Sequence, residues 1–215
     1  MQKNIFMKIK AVIFDMDGVL IDAKEWHYES LNRALSLFGT EISRYDHLVT
    51  FDGLPTKKKL QMLSLEGGFP NKLHSFVNDL KQQYTMEIVY TSCKPVFQQQ
   101  YALARLKSEG YNLAVCSNSI RKTVEIMMEK AALQEYLDFF LSNQDVKQGK
   151  PNPEMYNLAI SRLNLSPSEC LIVEDNEHGI KAAISSGAHV LKVESPNDVH
   201  YENIISRIKE IESHA

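Results

Sequence analysis

The run Ala11-Val-Ile-Phe-Asp-Met-Asp-Gly-Val-Leu20 decides how the rest of the chain is read. Four apolar residues lead straight into Asp15, Met16 separates it from Asp17, and Gly18 follows at once. A continuous β-prone run predicts a strand buried on both faces, as in a parallel sheet. Side chains at i and i+2 share one side of an extended backbone, so Asp15 and Asp17 face one cleft while Met16 turns away. Gly18 permits a turn that a residue with a Cβ resists. Two carboxylates at the carboxyl end of a buried parallel strand stand where open α/β sheets place their ligands.

Outward from this run the pattern divides in two. Lys8 to Phe14 reads as the first strand. Lys24 to Phe38 then reads as a helix, with Leu31, Ala34, Leu35 and Phe38 on one face and Gly39 as its stop. Thr56 is expected to cap a short helix through Leu63, and Leu73 to Tyr84 forms a third apolar stripe. No strand is expected between Ala23 and Thr91. From Pro95 onward helix and strand alternate. Strands are expected at Asn112–Cys116, Phe139–Ser142, Cys170–Val173 and His189–Val193, and a closing helix from Tyr201 to Ile211. The alternation predicts an α/β fold: a Rossmann-like parallel sheet with helices on both faces, carrying an inserted helical segment.

The 215 residues suffice for one large domain or a domain with a smaller insertion. Hydrophobic residues make up 44% and charged residues 24%, the ordinary balance of a globular protein. A formal net charge of −3 offers no electrostatic case for nucleic acid or an anionic membrane as partner. Cys93, Cys116 and Cys170 are odd in number and widely spaced, which argues against a disulfide framework and for a reducing compartment. Met1 to Lys10 holds no apolar core of signal-peptide length, and no run reaches bilayer-crossing length. A cytoplasmic protein is expected, monomeric or at most a weak homo-oligomer.

The stretch from Asp15 to Val19 resembles the first motif of the haloacid dehalogenase superfamily in its phosphatase form. The dehalogenases themselves lack the second aspartate; here Asp17 is present. The resemblance implies phosphoryl transfer through an aspartyl-phosphate. Asp15 is then the nucleophile, and Asp17 the general acid toward the leaving group and the base toward water. Lys150, in Gly149-Lys-Pro-Asn-Pro-Glu154, resembles the third motif, its ammonium offsetting charge on Asp15 and on the phosphoryl oxygens. Pro151 and Pro153 stiffen its loop. Glu174-Asp175, ending a predicted strand, resembles the fourth. Asp15 and Asp175, with the Asp17 backbone carbonyl, would hold one Mg²⁺ in hard oxygen coordination, Glu174 touching the ion or standing one step behind it. Ser117 and Asn118 resemble the second motif, whose polar groups take phosphate oxygens. These motifs follow one another in order between Lys8 and about Val193.

Within that superfamily the chain is most similar to the β-phosphoglucomutase-like branch. The similarity implies a core of residues 1–22 and 93–215 and a helical cap of residues 23–92. His27, twelve residues after Asp15, matches a histidine of that branch. It is expected either to steer Asp17 and couple cap closure to proton transfer, or to be an exposed helix residue near a hinge. Gly53, in Phe51-Asp-Gly-Leu-Pro-Thr-Lys-Lys-Lys-Leu60, is expected to turn a cap loop toward the cleft. The mutases carry an arginine where Thr56 stands here, which weakens that assignment. Lys57, Lys58 and Lys59 point different ways on a helix; a solvated face is the favoured reading, a contact to a distal anion the other. The expected function is a Mg²⁺-dependent phosphatase for a small phosphorylated metabolite, a sugar phosphate among the candidates. A phosphosugar mutase is the alternative. A non-catalytic phosphate-binding module is the third reading, and the presence of both aspartates speaks against it.

Overall fold

The computed structural model describes residues 9–213. Five parallel strands form one sheet: β1 (Ala11–Phe14), β2 (Asn112–Cys116), β3 (Phe139–Leu141), β4 (Cys170–Glu174) and β5 (His189–Lys192), in the order β3-β2-β1-β4-β5. β1 lies at the centre, Ala11 facing Asn112 on one side and Cys170 on the other. With a strand on both edges and helices on both faces, all four of its residues are buried, which is why the run is apolar throughout rather than alternating. The first strand was expected from Lys8; it is observed from Ala11, and Lys8 lies outside the described residues.

Alternate strand residues feed two cores. Val12, Phe14, Leu113, Val115, Leu171 and Val173 pack with α5 (Phe97–Ser108), α6 (Arg121–Lys130) and α9 (Tyr201–Ser213). On the opposite face, Ala11, Ile13, Ala114, Cys116, Cys170 and Ile172 pack with α7 (Glu154–Arg162) and α8 (Glu177–Ser185). This second face is lined by smaller side chains, leaving room for the fully buried Tyr156. All three cysteines are free and buried.

Between β1 and β2 the chain is helical: α1 (Lys24–Ser36), α2 (Arg44–Asp46), a wider turn over His47–Phe51, α3 (Thr56–Gly67) and α4 (His74–Ser92). Leu31, Leu35, Ile42, Phe51, Leu60 and Val77 belong to an apolar cluster of its own. Thr56 does not cap α3. Pro55 occupies the cap position and Thr56 is the first helical residue, so the helix starts without a side-chain cap. It also runs past Leu63, to Gly67, where Gly68 adopts a left-handed conformation and ends it. α4 continues beyond Tyr84 because its buried stripe is Val77, Lys81, Thr85 and Val89, with polar residues at two of four positions. Val77 packs in the helical cluster, whereas Val89 and Cys93 join the core beneath the sheet. No helix among the described residues is long and apolar enough to cross a membrane.

Candidate active site

Asp15 directly follows β1, and its N–H donates to the Val173 carbonyl at 3.0 Å, so the ladder holds the backbone that carries its carboxylate. From β1 the chain builds outward to β2 and β3, then returns to β4 and β5 on the other side. Asp15 therefore sits at the carboxyl edge where the strand order reverses, the place at which such sheets bind ligands.

The Lys150 ammonium, almost fully buried, donates to Asp15 Oδ1, to the Cys116 carbonyl at 2.8 Å and to Glu174 Oε1 at 2.7 Å. All three of its hydrogens are thereby used. Burial alone would lower its pKa, but Asp15 and Glu174 together raise it. Glu174, wholly buried, also accepts from the Tyr156 hydroxyl, and its Oε2 accepts from the Asp175 N–H at 3.2 Å. A Cβ on Gly179 would lie 2.0 Å from Glu174 Oε1, so only glycine at the start of α8 leaves this carboxylate its place.

Asp15, Glu174 and Asp175 can each bring a carboxylate oxygen within 4.8 Å of the others. Burial raises the pKa of Asp15 well above the carboxylate range; Lys150 opposes the shift, while Glu174, Asp175 and Asp17 add to it. Asp175 is raised as well, by burial first, against the pull of Lys24. Crowded, buried, oxygen-only donors of this kind suit a small hard dication. Lys24, the first residue of α1, places its ammonium 2.6 Å from Asp175 Oδ2 and 3.8 Å from Asp52. Gly18 has φ +91°, and a Cβ there would lie 2.2 Å from Asp175 Oδ2. Both backbone and space require glycine at that turn.

Asp17 stands beside Asp15 with a different set of partners. Its Oδ1 lies 3.0 Å from His27 Nε2, its Oδ2 accepts from Ser119 Oγ at 2.9 Å, and Ser117 Oγ is 3.5 Å away. Burial pushes the Asp17 pKa up, but His27 and Ser119 outweigh it and the net shift is downward. The His27 pKa is lowered, by burial first and then by Lys81. Lys81 Nζ is 3.1 Å from His27 Nδ1. An ammonium only donates, so while Lys81 is charged His27 accepts at Nδ1 and turns its Nε2–H toward Asp17. Of the two expectations for His27, the geometry shows the histidine facing Asp17.

Asn118 is spent on the scaffold. Its Oδ1 accepts from the Lys150 N–H at 3.0 Å, and its Nδ2 donates to the carbonyls of Gly53 at 2.9 Å and Lys150 at 3.1 Å. Gly53, at φ +70°, does turn its loop onto the cleft. The cleft is a cavity of about 450 Å³ between the sheet edge and the helical segment, bounded by Asp15, Asp17, Ser117 and Lys150 on one side and by Lys59 and Lys81 on the other.

The favoured reading of a solvated face fits Lys57 and Lys58, which are exposed, Lys57 at the cavity's border; Lys59 departs from it, being 6% exposed and facing the cavity. Sequence reasoning also passed over Lys24, Lys81, Ser119 and Tyr156. Lys24 and Ser119 each stand close to a motif residue, and that proximity was the available signal. Tyr156 and Lys81 lie on helix faces that read as core.

Residues 12–193 match the model of the haloacid dehalogenase-like hydrolase family. The chain belongs to that family. It is 30% identical over 182 residues to a phosphorylated carbohydrates phosphatase of Thermotoga maritima, covering 83% of this chain and 82% of the relative. It is 31% identical over 189 residues to the pyrophosphatase PpaX of Bacillus velezensis, covering 84% of this chain and 81% of that one. A β-phosphoglucomutase structure from Clostridium difficile superposes with a TM-score of 0.83 at 21% identity, over 95% of this chain and 99% of that chain, a likeness of fold. The four motifs of this haloacid dehalogenase-like hydrolase thus converge on one sheet edge, and the two relatives above are named as a phosphatase and a pyrophosphatase.

Proposed function

We propose that this hydrolase is a Mg²⁺-dependent phosphatase that releases phosphate from a small phosphorylated metabolite, sugar phosphates among them, through a phosphoryl group carried on Asp15. The observation that carries the reading is the division of labour between two neighbouring carboxylates: Asp15 is clamped by the Lys150 ammonium, whereas Asp17 is aimed by His27 and Ser119.

Asp15 attacks phosphorus while Lys150 offsets charge on the carboxylate and on the transferring oxygens. Asp17 delivers a proton to the departing oxygen and later takes one from the water that opens the acyl phosphate. The His27 Nε2–H holds the Asp17 carboxylate toward the leaving group. Ser117 and the backbone that follows it offer donors to the phosphoryl oxygens. Asp15, Asp175 and the Asp17 carbonyl would hold Mg²⁺, with Glu174 beside them fixing Lys150; when bound, the ion neutralises charge on the phosphoryl group. The helical segment, residues 23–92, acts as a cap that excludes bulk water during the first transfer.

Phosphate release from a panel of phosphate esters, with Mg²⁺ and with EDTA, beside Asp15→Asn, tests the reading. Release that needs Mg²⁺ and disappears in D15N is the expected result. Isomerised product without free phosphate would make the protein a mutase instead.

A further inference from the structure

Two buried ammonium groups face the cavity from the helical segment, and no carboxylate among the described residues pairs with either. Lys59 lies on α3 beside the fully buried Leu60 and is itself 6% exposed. Lys81 lies on α4, is 7% exposed, and its ammonium lies 3.1 Å from His27 Nδ1. Asp17 and Asp52 are the acidic groups whose fields reach Lys59. Neither is free to pair with it: Asp17 is held by His27 and Ser119, and Asp52 leans toward Lys24. Lys150 shows the contrast, since an equally buried ammonium there has two carboxylates in contact. An unpaired buried ammonium is costly, and it is kept where an arriving anion completes it.

We propose that Lys59, supported by Lys81, forms a second anion subsite on the wall of the cavity opposite Asp15. The preferred substrate is then a two-ended anion: a phosphate monoester carrying a further carboxylate or phosphate at its far end. The cavity, about 450 Å³, is of the size that encloses a small metabolite. Its two walls each present buried positive charge, Lys150 at the sheet edge and Lys59 with Lys81 across from it. The pKa values are lowered, to about 8 for Lys59 and about 7 for Lys81, with burial as the first cause in both and the nearby Lys59 charge adding to the shift of Lys81. Thr56, Asn78 and Gln82 line the same wall and add neutral hydrogen-bonding groups for the body of the ligand. The subsite gives the proposed phosphatase its substrate class and rests on that reading for the orientation of the phosphoryl end.

The test is binding of three non-hydrolysable probes by calorimetry in the presence of Mg²⁺: propylphosphonate, 3-phosphonopropionate and propane-1,3-bisphosphonate. Wild-type protein is expected to bind one or both of the two-ended probes about tenfold or more tightly than propylphosphonate, the step expected of one added charged hydrogen bond in a buried site. The pair also separates a carboxylate tail from a phosphate tail. Lys59→Met should collapse the ratio to within about twofold, and Lys59→Arg should keep it, both variants being checked for folding by circular dichroism. Equal binding of all three probes by the wild type would overturn the subsite, as would a Lys59→Met variant that weakens all three alike. The readout needs no turnover. Absence of phosphate release from every ester would therefore sink the phosphatase reading and leave this result standing.

Discussion

Lys150 and Lys81 are both buried ammonium groups, and what surrounds each decides how a change would be felt. Lys150→Met leaves Asp15 and Glu174 as buried carboxylates without their counter-charge. Loss of one partner from a buried ion pair costs about 3–5 kcal/mol, so urea unfolding without added Mg²⁺ should show a loss of that order. Phosphate release should fall by about 10²-fold or more, the effect of removing a preorganised charge from the transition state. For Lys81 the sign is opposite. Its ordinary value of 10.5 falls to about 7 in the folded protein, burial being the first cause. Below pH about 7 the lysine is charged in both states and the whole cost of burial falls on the native one; that cost fades as pH rises from about 7 toward 10.5. Lys81→Met removes the burden, so its gain in stability over wild type should be largest near pH 6 and shrink by pH 10, read by unfolding at each pH. A difference that does not change with pH would show that Lys81 is not the group responsible. Asp15, Asp17, Lys150 and Asp175 were legible from strand ends, turn chemistry and the resemblance those residues carry. Lys59 and Lys81 were not, because a lysine interrupting an apolar stripe looks the same in a sequence whether it faces solvent or a cavity.

At the scale of elements, the site depends on how closely α8 approaches β4. Glu174 ends the strand and Gly179 lies in the first turns of the helix, with no room for a methyl group between them. Gly179→Ala drives a Cβ into a carboxylate that already holds Lys150 and Tyr156. Overpacking of this kind costs about 1–3 kcal/mol, and here the displaced group is the one that anchors the site lysine. Urea unfolding should report the loss, and activity should fall with it. An alanine variant as stable and active as wild type would mean that Glu174 can move without disturbing Lys150. Four of the five strands, β2 to β5, were read to within a residue at each end because buried parallel strands are short apolar runs bounded by turn residues, whereas β1 begins later than expected. Helix ends were read less well. α3 begins at Thr56 without a side-chain cap, and α4 runs on through Lys81 and Thr85, polar residues on its buried face. Periodicity carries no mark of such positions; only the packed neighbours do.

For the molecule as a whole, the question is what joins the sheet edge to the helical segment over the cavity. Among the described residues, the polar links across it include Asn118 to the Gly53 carbonyl, His27 to Asp17, and Lys24 between Asp175 and Asp52, with Thr123 to Gln82 at 3.4 Å farther out. His27 and Lys24 both belong to the start of α1, which leaves the core immediately after the Asp15–Asp17 turn, so they move little relative to it. Asn118 differs. It reaches the Gly53 loop across 65 positions of sequence, and the same side chain holds both backbone groups of Lys150. Closing of the segment over a substrate and placing of the lysine are therefore joined in one amide. Asn118→Ala should loosen both: faster hydrogen exchange over residues 51–56, a KM raised more than kcat is lowered, and a stability loss of about 1–3 kcal/mol for buried partners left unpaired. Asn118→Asp separates the two roles, because a carboxylate can still accept from the Lys150 N–H but offers nothing to the Gly53 carbonyl. It should reproduce the faster exchange at 51–56 while keeping more of the stability. If Asn118→Asp leaves exchange in that loop at the wild-type rate, the loop is held closed by the α1 contacts instead, and Asn118 serves Lys150 alone.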